Sequence, residues 1–335
     1  MKQLVEDRSR TPEHLRMLYA PIQSELEQVE TILREVFSSS DPFVDRLARH
    51  SFRLGGKRLR PALLLLSGHL CGTVRPEHVP LAAVMEMVHT ASLLHDDVLD
   101  EATLRRHLDT VNARWNNEAS ILLGDYVLAR AMETVGALNS PFACEAIGHA
   151  AKVVCEGELR QVQWRGRFDL TEEAYLEIIA DKTAALTACC CHLGSHYAGA
   201  DRDLAVRLER FGHFLGIAFQ IADDLLDLLG DEATAGKSLG TDLVKQKATL
   251  PLIRLLGQVQ PNQRREELLA ILTRNDNHRN EALRPWFQHS DAIAYARDQA
   301  LEFARRAAQQ LDDLPQSPYR DAMRALTEFS VDRRA

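Results

Sequence analysis

Apolar residues recur every three or four positions along most of the chain, and stretches that alternate apolar with polar are scarce. A helix buries one stripe at that period, whereas a half-buried strand needs alternation. The spacing therefore predicts helices over about 21–37, 41–53, 58–71, 79–101, 116–136, 141–164, 172–198, 202–229, 248–257, 263–273, 290–312 and 318–333. Local punctuation agrees: SSSDP at 38–42, NSP at 139–141 and DLTEE at 169–173 interrupt the pattern, with Thr171 placed as an N-cap and Gly199 as a C-cap. No Pro/Gly/Ser-rich linker divides the chain. The expectation is one all-α domain over 1–335, a helical bundle with an N-terminal helical extension over 1–40. The stretch 258–289 is the most polar and reads as a surface excursion.

Two of the most apolar helices carry a line of acid. LLHDDVLDE at 93–101 puts Asp96 and Asp100 one turn apart on one face with Asp97 beside them, among Met87, Val88, Ala91, Leu93, Leu94, Val98 and Leu99. His89 and Ser92 extend that line. The spacing returns at Asp223, Asp224 and Asp227, with Gln220 one turn earlier, among Phe219, Ile221, Ala222, Leu225 and Leu226. Like charges one turn apart weaken a helix by about 0.2–0.5 kcal/mol a pair, and carboxylates left unpaired among apolar neighbours cost more. Two such stripes facing each other suit Mg²⁺, a hard cation that takes carboxylate oxygens together with water and substrate phosphate. No HxxEH-like or Cys/His ligand set points to zinc.

The remaining totals narrow the classes. The 335 residues are 45% hydrophobic, enough for a substantial core, and the net charge of −8 argues against nucleic acid as a partner. Three of the six cysteines are consecutive, Cys189 to Cys191, and no CxxC occurs, so they read as core residues of a protein in a reducing, cytoplasmic compartment. Adjacent helical positions point about 100° apart and do not ligate one ion together. The charged start MKQLVEDRSRTPEHLRMLYAP has no apolar core of the signal-peptide kind, and no uncharged apolar run reaches the ~18 residues of a membrane span. Any membrane contact is expected to be peripheral.

Acid lines and phosphate call for fixed positive charge. GGKRLRP at 55–61 supplies Lys57, Arg58 and Arg60 behind two glycines, LRR at 104–106 supplies Arg105 and Arg106, and Lys182 stands in DKTAAL. Lys237 and Lys247 flank a glycine-containing interval after the second acidic line. Arginine grips phosphate oxygens with a planar fork and lysine as a point charge.

GGKRLRP, HTASLLHDDVLDEATLRR, LLGDYVLA, DKTAAL, FQIADDLLD, GKSLGTDL and KQKATLP, in that order, resemble the trans-isoprenyl diphosphate synthases, or polyprenyl synthetases, from about residue 45 to 255. The resemblance implies an all-α bundle around a deep central cavity, the isoprenoid synthase fold, commonly a homodimer. It implies Mg²⁺-dependent, head-to-tail, trans condensation of isopentenyl diphosphate with an allylic diphosphate. Asp96, Asp100 and Asp223 would bind metal, with Asp97, Asp224 and Asp227 completing the two motifs as catalytic neighbours. Lys57, Arg60, His89 and Arg106 resemble the isopentenyl diphosphate contacts. Arg105, Lys182, Thr183, Gln220, Lys237 and Lys247 would face the allylic diphosphate or the cation it leaves. His95, beside Asp96, is expected to be structural.

Two features depart from or refine the family pattern. After the Arg pair the family usually continues Gly-x-Pro-Thr, and here HLDT, His107 to Thr110, stands instead. Residues just upstream of the first motif form the floor of chain growth in the family, where short-chain members commonly carry an aromatic; here they are Ala91 and Ser92, with Val88 and Met85 deeper. The expectation is a medium- or long-chain product, hexaprenyl to nonaprenyl. The alternatives are a shorter-chain geranylgeranyl or farnesyl synthase and a head-to-head prenyl synthase, the latter without need of GGKRLRP.

Overall fold

The computed structural model describes residues 13–229, 241–260, 263–274 and 279–331. Helices α1 (Glu13–Tyr19), α2 (Gln23–Val36), α3 (Pro42–Arg53), α4 (Leu59–Cys71) and α5 (His78–Leu99) lead to an antiparallel pair, β1 (Leu104–Arg105) and β2 (Leu108–Asp109). Next come α6 (Val111–Arg114), α7 (Asn117–Gly136), α8 (Pro141–Trp164) and α9 (Glu172–Ile179), then a π-helical turn, Ala180–Ala184. The rest is α10 (Ala185–Tyr197), α11 (Arg202–Leu229), α12 (Thr241–Val244), α13 (Leu250–Gln258), α14 (Gln263–Leu272), α15 (Arg279–Gln288), α16 (Ala292–Gln309) and α17 (Pro318–Val331). Among the described residues no helix is long and apolar enough to cross a membrane.

The long helices fall where the apolar period places them, and Thr171 and Gly199 act as foreseen: Thr171 Oγ1 accepts from Ala174 N at 3.2 Å, and Gly199 has a φ of +85°. Six features escape that pattern. The expected helix over 172–198 is interrupted by the π turn, the β1–β2 hairpin occupies a stretch expected as loop, and α1, α6, α12 and α15 match none of the helices read from the period. α1, α6 and α12 span two turns or fewer, too short to repeat an apolar stripe, and α15 contains Pro285.

The chain divides into two compact units. The first comprises Met1–Glu145, Cys190–Ala205 and Pro315–Ala325. Its axis is α5, apolar around most of its circumference, with Leu81 to Met85, Met87 and Val88 buried, and it packs against α2, α4 and α7. Gly194 permits a close approach: a Cβ there would lie 2.1 Å from the Leu64 carbonyl oxygen. Cys190 and Cys191 are fully buried in this unit.

The second unit comprises Ala146–Cys189, Val206–Leu314 and Leu326–Ala335. One core gathers Tyr175, Ile178, Ile179, Ile217, Ile221, Leu250 and Phe303. Another gathers Leu243, Leu252, Leu255, Leu256, Leu268, Leu272 and Leu283. The polar stretch 258–289 thus anchors three of its leucines in a core, and its Arg279 is buried as well and donates to the Leu243 carbonyl, so the stretch is not the surface excursion that its composition suggests. Residues 261–262 and 275–278 of that stretch lie outside the described residues.

Candidate active site

In the first unit, GGKRLRP joins α3 to α4 by a turn that only small residues fit. Gly55 has a φ of +63°, and a Cβ on Gly56 would stand 2.9 Å from Glu86 Oε1 and 3.0 Å from Arg58 Nη1. Arg58, itself left-handed at +52°, donates to Glu86 at 2.8 Å and to Glu30, so its charge is spent on the scaffold. Tyr19 Oη donates to the Lys57 carbonyl at 3.0 Å, tying the turn to the end of α1. Arg60 differs, because its Nε is buried with no hydrogen-bond partner. Burial and the guanidinium groups of Arg60, Arg106, Arg105 and Arg58 hold His89 well below the ordinary imidazole range. Burial lowers Arg60 as well, and burial together with neighbouring Arg105 brings Arg106 down to about 10. Positive charge held in low dielectric around a neutral imidazole is a receptacle for a polyanion.

The same unit carries the first acidic motif, and its three aspartates are not equivalent. Asp97 is buried, and Arg105 clasps it with Nη2 at 2.7 Å and Nε at 3.0 Å to Oδ1. Burial pushes the Asp97 carboxyl up and Arg105 pulls it back. Asp96 and Asp100 are half-buried at the C-terminal end of α5, where the Asp100 amide donates to the Asp96 carbonyl at 2.7 Å. Higher on α5, Ala91, Val88 and Met85 are buried, and Ser92 Oγ donates to the His89 carbonyl at 2.8 Å. His95 packs into the space left by Gly124 of α7 and bonds the Ile121 carbonyl at 3.2 Å, a structural position.

In the second unit the DKTAAL motif forms the π turn. Glycines grip it from two helices: a Cβ on Gly157 of α8 would lie 2.6 Å from the Lys182 amide nitrogen, and one on Gly216 of α11 would lie 2.5 Å from the Ala184 Cα. π turns are rare and concentrate at functional sites. Here the turn lets Thr183 Oγ1 donate to Gln220 Oε1 at 2.7 Å. Gln220 Nε2 donates in turn to Asp224 Oδ1 at 2.8 Å, and Tyr175 Oη donates to Asp224 Oδ2 at 2.7 Å. Burial and the charge of Asp242 nevertheless push Asp224 up to about 8. Asp227, also buried, accepts from the Asp242 amide at 3.0 Å, while Asp223 is half-buried. Lys182 pairs with Glu158 at 2.5 Å, and Lys247 lies 3.6 Å from Asp242. A pocket open to solvent, with about 520 Å³ of empty space, is lined by Lys182, Gln220, Asp224, Asp242 and Lys247 together with Trp164, Leu170, Ile178 and Ile179. A pocket of that composition accommodates an ionic head with an apolar tail.

Each unit therefore presents aspartates of two kinds. Asp97, Asp224 and Asp227 turn inward to Arg105, to Tyr175 and Gln220, and to a backbone amide, whereas Asp96, Asp100 and Asp223 remain partly exposed. Among the described residues no group of three ligating side chains is already gathered. Hard oxygen donors, one or two at a time, fit Mg²⁺, whose shell is completed by water and phosphate.

The family model for polyprenyl synthetases, "Polyprenyl synthetase", matches residues 41–288. This chain belongs to the polyprenyl synthetase family. It is similar to the all-trans-nonaprenyl-diphosphate synthase (geranyl-diphosphate specific) of Rhodobacter capsulatus, 37% identical over 94% of this chain and 97% of that protein. It is likewise similar to the octaprenyl diphosphate synthase of Escherichia coli K12, 35% identical over 91% and 94%. A crystal structure of polyprenyl synthase from Caulobacter crescentus CB15, complexed with calcium and isoprenyl diphosphate, superimposes with a TM-score of 0.91 at 34% identity, covering 96% of this chain and 98% of that one. The protein is a trans-prenyltransferase that makes polyprenyl diphosphates, with the all-α isoprenoid synthase fold.

As a polyprenyl synthetase, the chain replaces the family's Gly-x-Pro-Thr with a hairpin closed by non-glycine residues. Arg106 and His107 are its two central residues, with φ of +52° and +63°. Thr110 keeps two tasks, donating to the Ala102 carbonyl at 2.6 Å and capping α6 through Ala113 N at 3.3 Å. Lys237 lies outside the described residues. Sequence reasoning missed Glu158, Tyr175, Trp164 and Asp242. Glu158 reaches Lys182 from α8 and Tyr175 reaches Asp224 from α9, pairings that no spacing rule marks, whereas Asp242 stands within GKSLGTDL and meets Asp227 through its backbone amide.

Proposed function

We propose that this synthase condenses isopentenyl diphosphate with an allylic diphosphate, head to tail, and repeats the step to a hexaprenyl-to-nonaprenyl product. Lys57, Arg60, His89 and Arg106 bind isopentenyl diphosphate. Arg105, Lys182, Thr183, Gln220, Lys237 and Lys247 serve the allylic diphosphate and its cation, with Arg105 acting through its clasp on Asp97. Asp96, Asp100 and Asp223 would hold Mg²⁺, which when bound would supply Lewis-acid neutralisation of the leaving diphosphate. Asp97, Asp224 and Asp227 fix the helices that present those ligands.

Thr183 and Gln220 offer oxygen lone pairs, uncharged and therefore unable to trap a carbocation as an ester. Their mutual hydrogen bond holds both oxygens in place. Trp164, Leu170, Ile178 and Ile179, which line the same pocket, would keep from the cation the water that turns it into an alcohol. Chain length is read from Ala91, Ser92, Val88 and Met85, whose small or flexible side chains leave the growing chain room; the nonaprenyl and octaprenyl relatives support a long product. We read both units as one catalytic domain, a reading supported by the matched stretch 41–288, which includes residues of each. We further propose a cytoplasmic homodimer with at most peripheral membrane contact; α7 supports the dimer by leaving Ile121, Leu122 and Met132 exposed.

The observation that carries the reading is the buried Nε of Arg60 without a partner, beside His89 and Arg106. Losing a charge-assisted contact to diphosphate costs about 1.5–3 kcal/mol, roughly 10–100-fold. Arg60→Ala should raise the KM for isopentenyl diphosphate by about that factor and leave the KM for the allylic primer close to its parental value. An unchanged isopentenyl KM in a folded Arg60→Ala enzyme contradicts the assignment.

A further inference from the structure

The hairpin that carries Arg105 and Arg106 has an awkward tip. Both central residues of its two-residue turn take left-handed backbone angles, and neither is glycine. For a side chain with a Cβ that conformation costs roughly 1–2 kcal/mol per residue, and it persists only where the surroundings hold it. Asn-Gly or Gly-Gly pairs relieve such turns; Arg-His does not.

The surroundings that hold it come from the last turns of α3. His50 is buried, 7% exposed, and its Nε2 lies 2.7 Å from the Asp109 carbonyl oxygen at the end of β2. A carbonyl only accepts, so Nε2 carries the proton and Nδ1 is the acceptor. Arg114 Nη1 donates to that Nδ1 at 3.2 Å. Trp115 stands edge-on to the imidazole, with ring centroids 5.1 Å apart, and the Arg114 guanidinium lies 5.0 Å from the centre of the same indole. Four residues beyond His50, the Leu54 carbonyl receives Arg106 Nη1 at 3.0 Å. The end of α3 thus holds the hairpin twice, by the backbone of Asp109 and by the guanidinium of Arg106.

We infer that His50 is a positioning residue: by donating to the Asp109 carbonyl it holds the Arg105–Arg106 hairpin in the shape that His107, in place of glycine, does not secure alone. It acts on substrate through Arg106, and to that extent the inference rests on the isopentenyl diphosphate role proposed above. His50 itself touches no substrate. The interlock is specific in chemistry: it needs a side chain that donates at the Nε2 position and accepts from Arg114, as glutamine can and alanine or leucine cannot.

Two measurements on the purified enzyme test it. The first, amide hydrogen exchange over 103–110 without substrate, is independent of any substrate assignment. His50→Ala should speed exchange there while the rest of the chain exchanges at the parental rate, and adding His107→Gly to His50→Ala should restore protection. The second is steady-state kinetics. His50→Ala should raise the KM for isopentenyl diphosphate about tenfold, the worth of one hydrogen bond at an ordered site, with kcat within about twofold. His50→Gln should lie nearer the parent, and the His50→Ala, His107→Gly double variant should recover most of the loss. Parental exchange over 103–110 in His50→Ala, or no recovery on adding glycine, overturns the inference, as does a general loss of protection across the chain. Arg106→Ala separates the two claims. If it leaves the isopentenyl KM unchanged, the proposed pocket fails while the exchange data still judge His50.

Discussion

Two histidines of α5, one half-buried and one buried, show how differently one residue type serves this chain. Burial and the surrounding guanidinium groups of Arg60, Arg106, Arg105 and Arg58 hold the His89 imidazole well below its ordinary range, which suits the diphosphate contact proposed for it. His78, at the first position of α5, is a joint: its Nδ1 accepts from the Arg75 amide at 3.0 Å and its Nε2 donates to the Gly194 carbonyl at 3.0 Å. Burial holds the His78 imidazole below its ordinary value of 6.5. The unfolded chain therefore takes up a proton near 6.5 that the folded chain refuses, and stability falls as pH drops through that window toward the lower folded value. Melting followed by circular dichroism from about pH 7.5 to about 5.5 should show a steep loss, and His78→Asn should flatten it. Equal slopes in parent and variant would count against this role. At this scale the sequence exposed the chemistry unevenly. Asp96, Asp97 and Asp100 were legible as a cluster, but only the fold separates the inward Asp97, clasped by Arg105, from its two outward neighbours.

At the scale of elements, periodicity located α5 and α11 because each buries apolar residues over several turns, and the two acidic motifs came with them. It did not find the β1–β2 hairpin, whose shape is imposed by contacts from α3, nor the π turn, whose cause lies on other helices. Those two irregular pieces carry Arg105, Arg106, Lys182 and Thr183, four of the residues assigned to substrate. The π turn depends on the absence of side chains at Gly157 and Gly216. Gly157→Ala must push the Lys182 backbone aside, at a cost of about 1–3 kcal/mol for an overpacked contact. The variant should fold with a lowered melting temperature and lose kcat at least tenfold, since the Thr183–Gln220 hydrogen bond moves with the turn. Parental turnover in Gly157→Ala would show that the close approach is dispensable.

For the whole molecule, the family and the all-α fold were readable in seven ordered blocks, because each block encodes a local backbone solution as well as a ligand set. Product length is a property of the larger assembly of walls around the growing chain. On α5 the floor proposed for it is Ala91, Ser92, Val88 and Met85, of which Ala91, Val88 and Met85 are buried. Placing a ring at the first of them should shorten the product: Ala91→Phe is expected to shift the distribution by several prenyl units with little change in total incorporation, read by chromatography of dephosphorylated products. An unchanged distribution removes Ala91 from the floor.

The central claim, repeated Mg²⁺-dependent addition of isopentenyl diphosphate to an allylic primer, is tested most directly by supplying the purified enzyme with labelled isopentenyl diphosphate, Mg²⁺ and a set of allylic primers, and sizing the labelled products. The expected result is label in hexaprenyl to nonaprenyl chains, abolished by chelator. Products that end at three or four prenyl units would contradict the chain-length reading, and the absence of metal-dependent incorporation would contradict the claim itself.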